Sequence, residues 1–179
     1  MIYLEPLAIV LSKKSGRPVK MVMTRDEVFR ASGPTSGTNI IIKIGVTKDG
    51  RITAAQAILN YQSGCFPGSS LPLCTPTAFT RYDIANVLVI GNDVTCNRPK
   101  VTAYRAPGAP MIAFGVETVM DEIAEELNID RLEIRLMNAA KEGTQTHFGP
   151  KLGPIGFIET LEAAKAHNHM KEKLGPNQG

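Results

Sequence analysis

Tryptophan is absent from this 179-residue chain, and it has only 4 Tyr and 6 Phe. So few aromatics leave little for nucleobases to stack on. Charge of one sign is also lacking. Twenty Lys and Arg face 17 Asp and Glu, and the net +3 is scattered, with Lys13-Lys14 and Lys171-Lys173 the densest spots. No basic stripe of a nucleic-acid binder results. Cys65, Cys74 and Cys96 form an odd set without CxxC spacing, which argues against a disulfide framework, an iron–sulfur cluster or structural zinc. No apolar run approaches a membrane span. The apolar start, Met1 to Leu11, carries Glu5 and no positive leader, so it does not read as a signal peptide. A cytoplasmic protein with no membrane or nucleic-acid partner is expected.

What is present fits a soluble globular domain: 43% hydrophobic and 21% charged residues, enough chain to bury a core. Glu5 to Ser15 reads as a helix with Lys13 and Lys14 in its last turn and Gly16 as a left-handed stop. A helix this apolar needs something packed beneath it, which hints at further chain upstream. Val19 to Met23 alternates like a short strand. Thr24-Arg25-Asp26-Glu27 is a capping box opening a short helix through Phe29. Asn39 to Val46 and Ile52 to Tyr61 flank Lys48-Asp49-Gly50, a strong hairpin signal. Ile84 to Val94 reads as a third long strand. Ile112, Val116, Val119, Ile123 and Leu127 then recur at helical spacing, with Glu117, Asp121, Glu122, Glu125 and Glu126 largely opposite. Asp130 with Glu133 caps another helix through Ala140, and Phe157 to His167 forms a last one. The fold class is α+β: a mixed, mostly antiparallel sheet with helices packed on one face. Residues 1–170 form the domain part and 171–179 a frayed tail.

One segment stands out chemically. Tyr104-Arg105-Ala106-Pro107-Gly108-Ala109-Pro110 lies between a strand and a helix. Unpaired N–H groups and the dipole favour negative charge at a helix start. Gly108 and Ala109 permit close approach to the backbone. Arg105 adds a forked cation suited to phosphate or oxo groups. These residues describe an anion site, or else a tight strand–helix turn whose arginine pairs with a surface carboxylate.

The segment resembles a motif of the molybdenum-cofactor-binding subunit of the xanthine dehydrogenase and aldehyde oxidase family, A-[FY]-R-[GA]-x-G-x-P followed by ET-x-x-D-E-[IL]-A. Here Ala103 to Pro110 leads into Glu117-Thr118-Val119-Met120-Asp121-Glu122-Ile123-Ala124. Four further collinear stretches are similar to family patterns: Gly16-Arg17-Pro18-Val19-Lys20 with Thr24 to Glu27, Lys48 to Ile52, Tyr82 to Val87, and Asp130 to Asn138. The resemblance implies that Arg105, Ala106, Gly108 and Ala109 contact molybdopterin and that Pro107 lies near the substrate. Xanthine-oxidising members stack an aromatic residue where Pro107 stands. They also place a substrate-orienting arginine where an ungapped count falls on Leu73. Both departures argue against purines and suit aldehyde, aromatic-heterocycle or thioester-linked substrates. The family's GG-x-FGGK loop and its GVGE-like segment with the catalytic glutamate do not occur in these residues. No catalytic residue or direct metal ligand is therefore assigned.

Iron–sulfur and flavin (FAD) partner chains, the remaining molybdenum-subunit segments and a small-molecule substrate are the implied partners. The expectation is a fragment or split subunit of a molybdenum hydroxylase, inactive when isolated. The alternatives are a non-catalytic interaction module with the same fold and an unrelated anion-binding α+β domain. His147, His167 and His169 lack metal-site spacing, and exposed capping is the better reading of the last two. Cys65 and Cys74 have no evident base for nucleophilic work. Asp121, Glu122, Glu125 and Glu126 read as a solvated helix face.

Overall fold

The computed structural model describes residues 4–173 and 175–176. Its elements are α1 (Glu5–Ser15), α2 (Arg25–Ala31), β1 (Thr38–Val46), β2 (Ile52–Gly64), α3 (Leu71–Cys74), β3 (Asn86–Thr95), α4 (Ala109–Leu127), α5 (Arg131–Met137) and α6 (Phe157–Ala166). A 3-10 turn, Asn168–Lys171, reaches the first residue of the expected tail, of which residues 174 and 177–179 lie outside the described residues.

Local signals produce the elements they should. Gly16 closes α1 with φ 66°, its N–H donating to Ser12 O at 2.9 Å. Thr24 and Glu27 form the reciprocal capping box of α2. The Asp49-Gly50 turn joins β1 to β2 antiparallel, with Gly50 at φ 89°. β2 pairs with β3 in parallel, so the sheet has order β1-β2-β3 and is mixed.

Alternation along β2 turns Ala55, Ala57, Leu59 and Tyr61 toward α4, which answers with Ile112, Val116, Met120 and Ala124. Each large apolar side chain buried here contributes about 1.5–3 kcal/mol. Gly115 lets helix and sheet approach, since a Cβ there would stand 3.3 Å from Ile40 Cγ2. The opposite face of the sheet carries Ile41, Leu88, Ile90 and Val94, all exposed.

Two expectations are corrected. Val19 to Met23 is extended but is not a strand; among the described residues no strand lies beside it to complete a ladder. The helix expected through Ala140 stops at Met137, because Asn138 turns out of it and spends its side chain on three backbone groups. Its Oδ1 accepts from Ile52 N at 2.9 Å, and its Nδ2 donates to Gly50 O and Ile134 O.

Candidate functional site

The site is built where β2 and β3 leave the sheet. After β3 the chain hooks across the end of β2, with Val101 N–H donating to Ser63 O at 3.1 Å and Thr102 N–H to Pro34 O at 3.0 Å. It then tightens into the loop before α4. Ala106 sits at φ 52° and Gly108 at φ 84°, two left-handed residues within three positions. Gly108 is wedged against α3: a Cβ there would lie 2.9 Å from Cys74 Cβ and 2.9 Å from Ser70 O. The buried Tyr61 hydroxyl donates to Gly108 O at 3.0 Å. Burial, reinforced by the Cys74 side chain, pushes the Tyr61 phenol far above its ordinary value, so it remains a donor. Burial likewise raises the Cys74 thiol, which donates to Leu71 O.

This clamp leaves the outer half of the loop facing solvent. Arg105 is exposed and, among the described residues, has no hydrogen-bond or ion-pair partner. The turn whose arginine pairs with a surface carboxylate is therefore not what forms. Pro110 and the uncapped Gly108 open α4, so the positive end of a 19-residue helix lies beside a free guanidinium. Together they can accept an anionic group, and the absence of a Cβ at Gly108 preserves the backbone shape that does so.

Leu73 and Pro107, distant in sequence, line one cleft of about 130 Å³ with Ser69, Ser70, Thr102 and Ala103. No charged side chain lines it. Arg105, Ala106 and Ala109 stand outside it. Its far wall is a clamped loop: Lys100 Nζ donates to the carbonyls of Phe66, Pro67 and Gly68, while Asp93 accepts from the N–H groups of Gly68 and Ser69. Lys100 and Asp93 escaped notice in the sequence because each meets its partners across a long separation. The same is true of Tyr61, whose place on the core face of β2 was the only signal. A broader hollow of about 730 Å³ lies on the open sheet face around Lys43, Gln56 and Leu88.

The remaining candidates take structural places. His147 Nε2 lies 2.9 Å from Thr75 O, with its ring edge-on to Phe79 and Phe148. The His167 ring accepts from His169 N–H, and His169 lies 3.3 Å from Glu172. Glu117 departs from the charged face assigned to it. It is partly buried and accepts from Arg81, Tyr82 and Arg135, while Asp121 binds Arg135 at 2.8 Å. Glu122, Glu125 and Glu126 are exposed.

Residues 1–139 match the profile described as "Molybdopterin cofactor-binding domain". The chain belongs to this family. It is similar to the nicotinate dehydrogenase large molybdopterin subunit of Eubacterium barkeri, 31% identical over 160 residues that cover 87% of this chain and 38% of that one. It is also similar to the putative xanthine dehydrogenase molybdenum-binding subunit XdhA of Escherichia coli K12, 32% identical over 175 residues, 90% of this chain and 22% of that one. Among solved structures, the aldehyde oxidoreductase of Desulfovibrio gigas superposes with TM-score 0.80 at 25% identity, covering 92% of this chain and 18% of that one. Quinoline 2-oxidoreductase of Pseudomonas putida 86 shares the fold, with TM-score 0.81 at 21% identity over 89% of this chain and 21% of that one. The chain thus spans 38% or less of the length of these relatives. The α+β fold with a mixed sheet is that of molybdopterin-binding domains. No described helix is long and apolar enough to cross a membrane.

Proposed function

We propose that this chain supplies part of the molybdopterin site of a molybdenum-hydroxylase-type oxidoreductase, as a fragment or split subunit. The observation that carries the reading is the free, exposed Arg105 on a strained loop at the positive end of α4, in a molybdopterin-binding domain. The loop fits such a group. Arg105 would offer forked donors to phosphate or oxo groups, and Ala106, Gly108 and Ala109 would bring the backbone close. The bound group would supply the redox-active metal. The chain's own share is to bind and orient it, with Tyr61 holding the loop from beneath.

Pro107 and Leu73 lie on the substrate side. Their uncharged cleft suits a small neutral molecule, an aldehyde or an aromatic heterocycle, better than a purine needing a charged anchor. Among the relatives, the aldehyde oxidoreductase of Desulfovibrio gigas is named for that class, while XdhA of Escherichia coli is named for a purine. Other segments supply the general base and further cofactor contacts, and iron–sulfur and flavin (FAD) chains carry electrons away. The exposed apolar residues of α1, Leu7, Ile9, Val10 and Leu11, support such a larger assembly.

The test is molybdenum and pterin content of the chain purified with its co-purifying partners, wild type against Arg105→Ala. A charge-assisted hydrogen bond is worth about 1.5–3 kcal/mol, so pterin affinity is expected to fall roughly 10- to 100-fold. The unfolding midpoint of the pterin-free chain is expected to stay unchanged, because Arg105 holds nothing within the fold. Absence of pterin from the wild-type assembly, or full retention in Arg105→Ala, overturns the reading.

A further inference from the structure

We propose that Cys65 and Cys96 form an oxidant-responsive disulfide at the point where β2 and β3 leave the sheet. The parallel register runs to Gly64 opposite Thr95, and the next residue on each strand is a cysteine. Cys96 N–H donates to Gly64 O at 3.0 Å, the last hydrogen bond of that pairing after its register shift past Gln62, and so brings the residues that follow Gly64 and Thr95 alongside each other. Cys65 N–H donates to Arg98 O at 2.9 Å, and Arg98 N–H returns to Cys96 O at 2.8 Å, so both backbones are pinned. The Gly64–Thr95 pair that they directly follow has the spacing of neighbouring strands, about 4.8 Å, inside the roughly 4.4–6.8 Å that a disulfide spans. Both thiols are free, Cys65 exposed and Cys96 partly so. Cys74, buried beneath Gly108, is the third and has no such neighbour on the register.

The oxidant is a low-molecular-weight disulfide. The Cys65 thiolate attacks one of its sulfurs, forming a mixed disulfide and releasing one thiol that takes up the Cys65 proton. The Cys96 sulfur then displaces the second thiol, which leaves with the Cys96 proton. Two protein sulfurs are oxidised and two oxidant sulfurs reduced.

The bond would tie together the roots of both walls of the cleft. β2 leads to Ser69, Ser70 and Leu73, and β3 leads to Thr102, Ala103 and Pro107. That this tie regulates a cofactor site rests on the reading above. The disulfide itself does not, because it requires no cofactor, so the two can fail separately.

The experiment equilibrates the folded full chain in glutathione buffers of increasing oxidised fraction, then alkylates free thiols and maps them by mass spectrometry. The expected product has lost two hydrogens, carries a Cys65–Cys96 linked peptide pair, and leaves Cys74 unlinked. Cys96→Ser is expected to stop at a glutathione adduct on Cys65. A wild-type protein that accumulates the same Cys65 adduct with Cys96 still alkylatable overturns the proposal. So does a linked pair that appears only in denaturant.

Discussion

Replacing Gly108 by alanine tests the architecture of the loop directly. Two independent costs can be worked from the structure. At φ 84° an L-residue pays about 1–2 kcal/mol for the left-handed backbone. The new methyl would also lie 2.9 Å from Cys74 Cβ, 2.9 Å from Ser70 O and 3.0 Å from Ser70 Oγ. Two of those atoms belong to backbone or to a buried side chain, so relief requires α3 to move away from α4, an overpacking cost of about 1–3 kcal/mol. The expected loss is therefore about 2–5 kcal/mol. Gly143→Ala is the matched control: φ is 83°, and nothing lies within 4 Å of its Cβ. It should lose only the backbone part, about 1–2 kcal/mol. The smaller unfolded-state entropy of alanine affects both alike and cancels in the comparison. Urea denaturation of both variants, compared at a shared slope, gives the difference. Equal losses at the two glycines would refute the claim that α3 and the loop are in contact.

Two further predictions concern the supports. Asn138→Ala removes three hydrogen bonds to backbone groups from a side chain that is 3% exposed, and is expected to cost about 2–4 kcal/mol; a loss below about 1 kcal/mol by the same denaturation would contradict it. At Asp93, desolvation pushes the carboxyl up, but hydrogen bonds from Gly68 and Ser69, with the charge of Lys100, together outweigh it and hold the group below the ordinary carboxylate range. A depressed folded value means the stabilising contribution is complete above the unfolded value, about 3.9, and disappears as pH falls through the folded one. Amide resonances of Gly68 and Ser69 followed by NMR should therefore shift only in that acid range, and a transition above the ordinary carboxylate value would overturn the assignment.

How much of this was legible in the sequence depends on how far each signal reaches along the chain. Gly16, the Thr24–Glu27 box, the Asp49-Gly50 turn and the Asp130 cap each act within a few residues, and each produced its element. Val19 to Met23 carries the same two-residue alternation as β1, yet alternation shows only that a chain is extended. Pairing decides whether it is a strand, and the partner is not encoded nearby. The parallel partnership of β2 and β3 is non-local in the same way, reached across the excursion through α3.

The site divides along the same line. Arg105 to Pro110 was legible because strand, glycine turn and helix start follow one another directly. Their supports were not. Tyr61 donates to Gly108 across 47 positions, and Asp93 accepts from Gly68 across 25. Periodicity could place Tyr61 on the core face of β2 but could not say where its hydroxyl points. Glu117 shows the converse. Helical spacing set it among charged neighbours, and the same spacing would hold whether solvent or the guanidiniums of Arg81 and Arg135 lay opposite. Leu73 and Pro107 are the instructive exception. No local signal joins them, but a resemblance carries the register of a whole fold, and the structure sets both on one cleft. Residues proposed to meet a ligand were therefore readable from local grammar or from kinship. Residues that hold them in place required the tertiary structure, because their partners are chosen by packing.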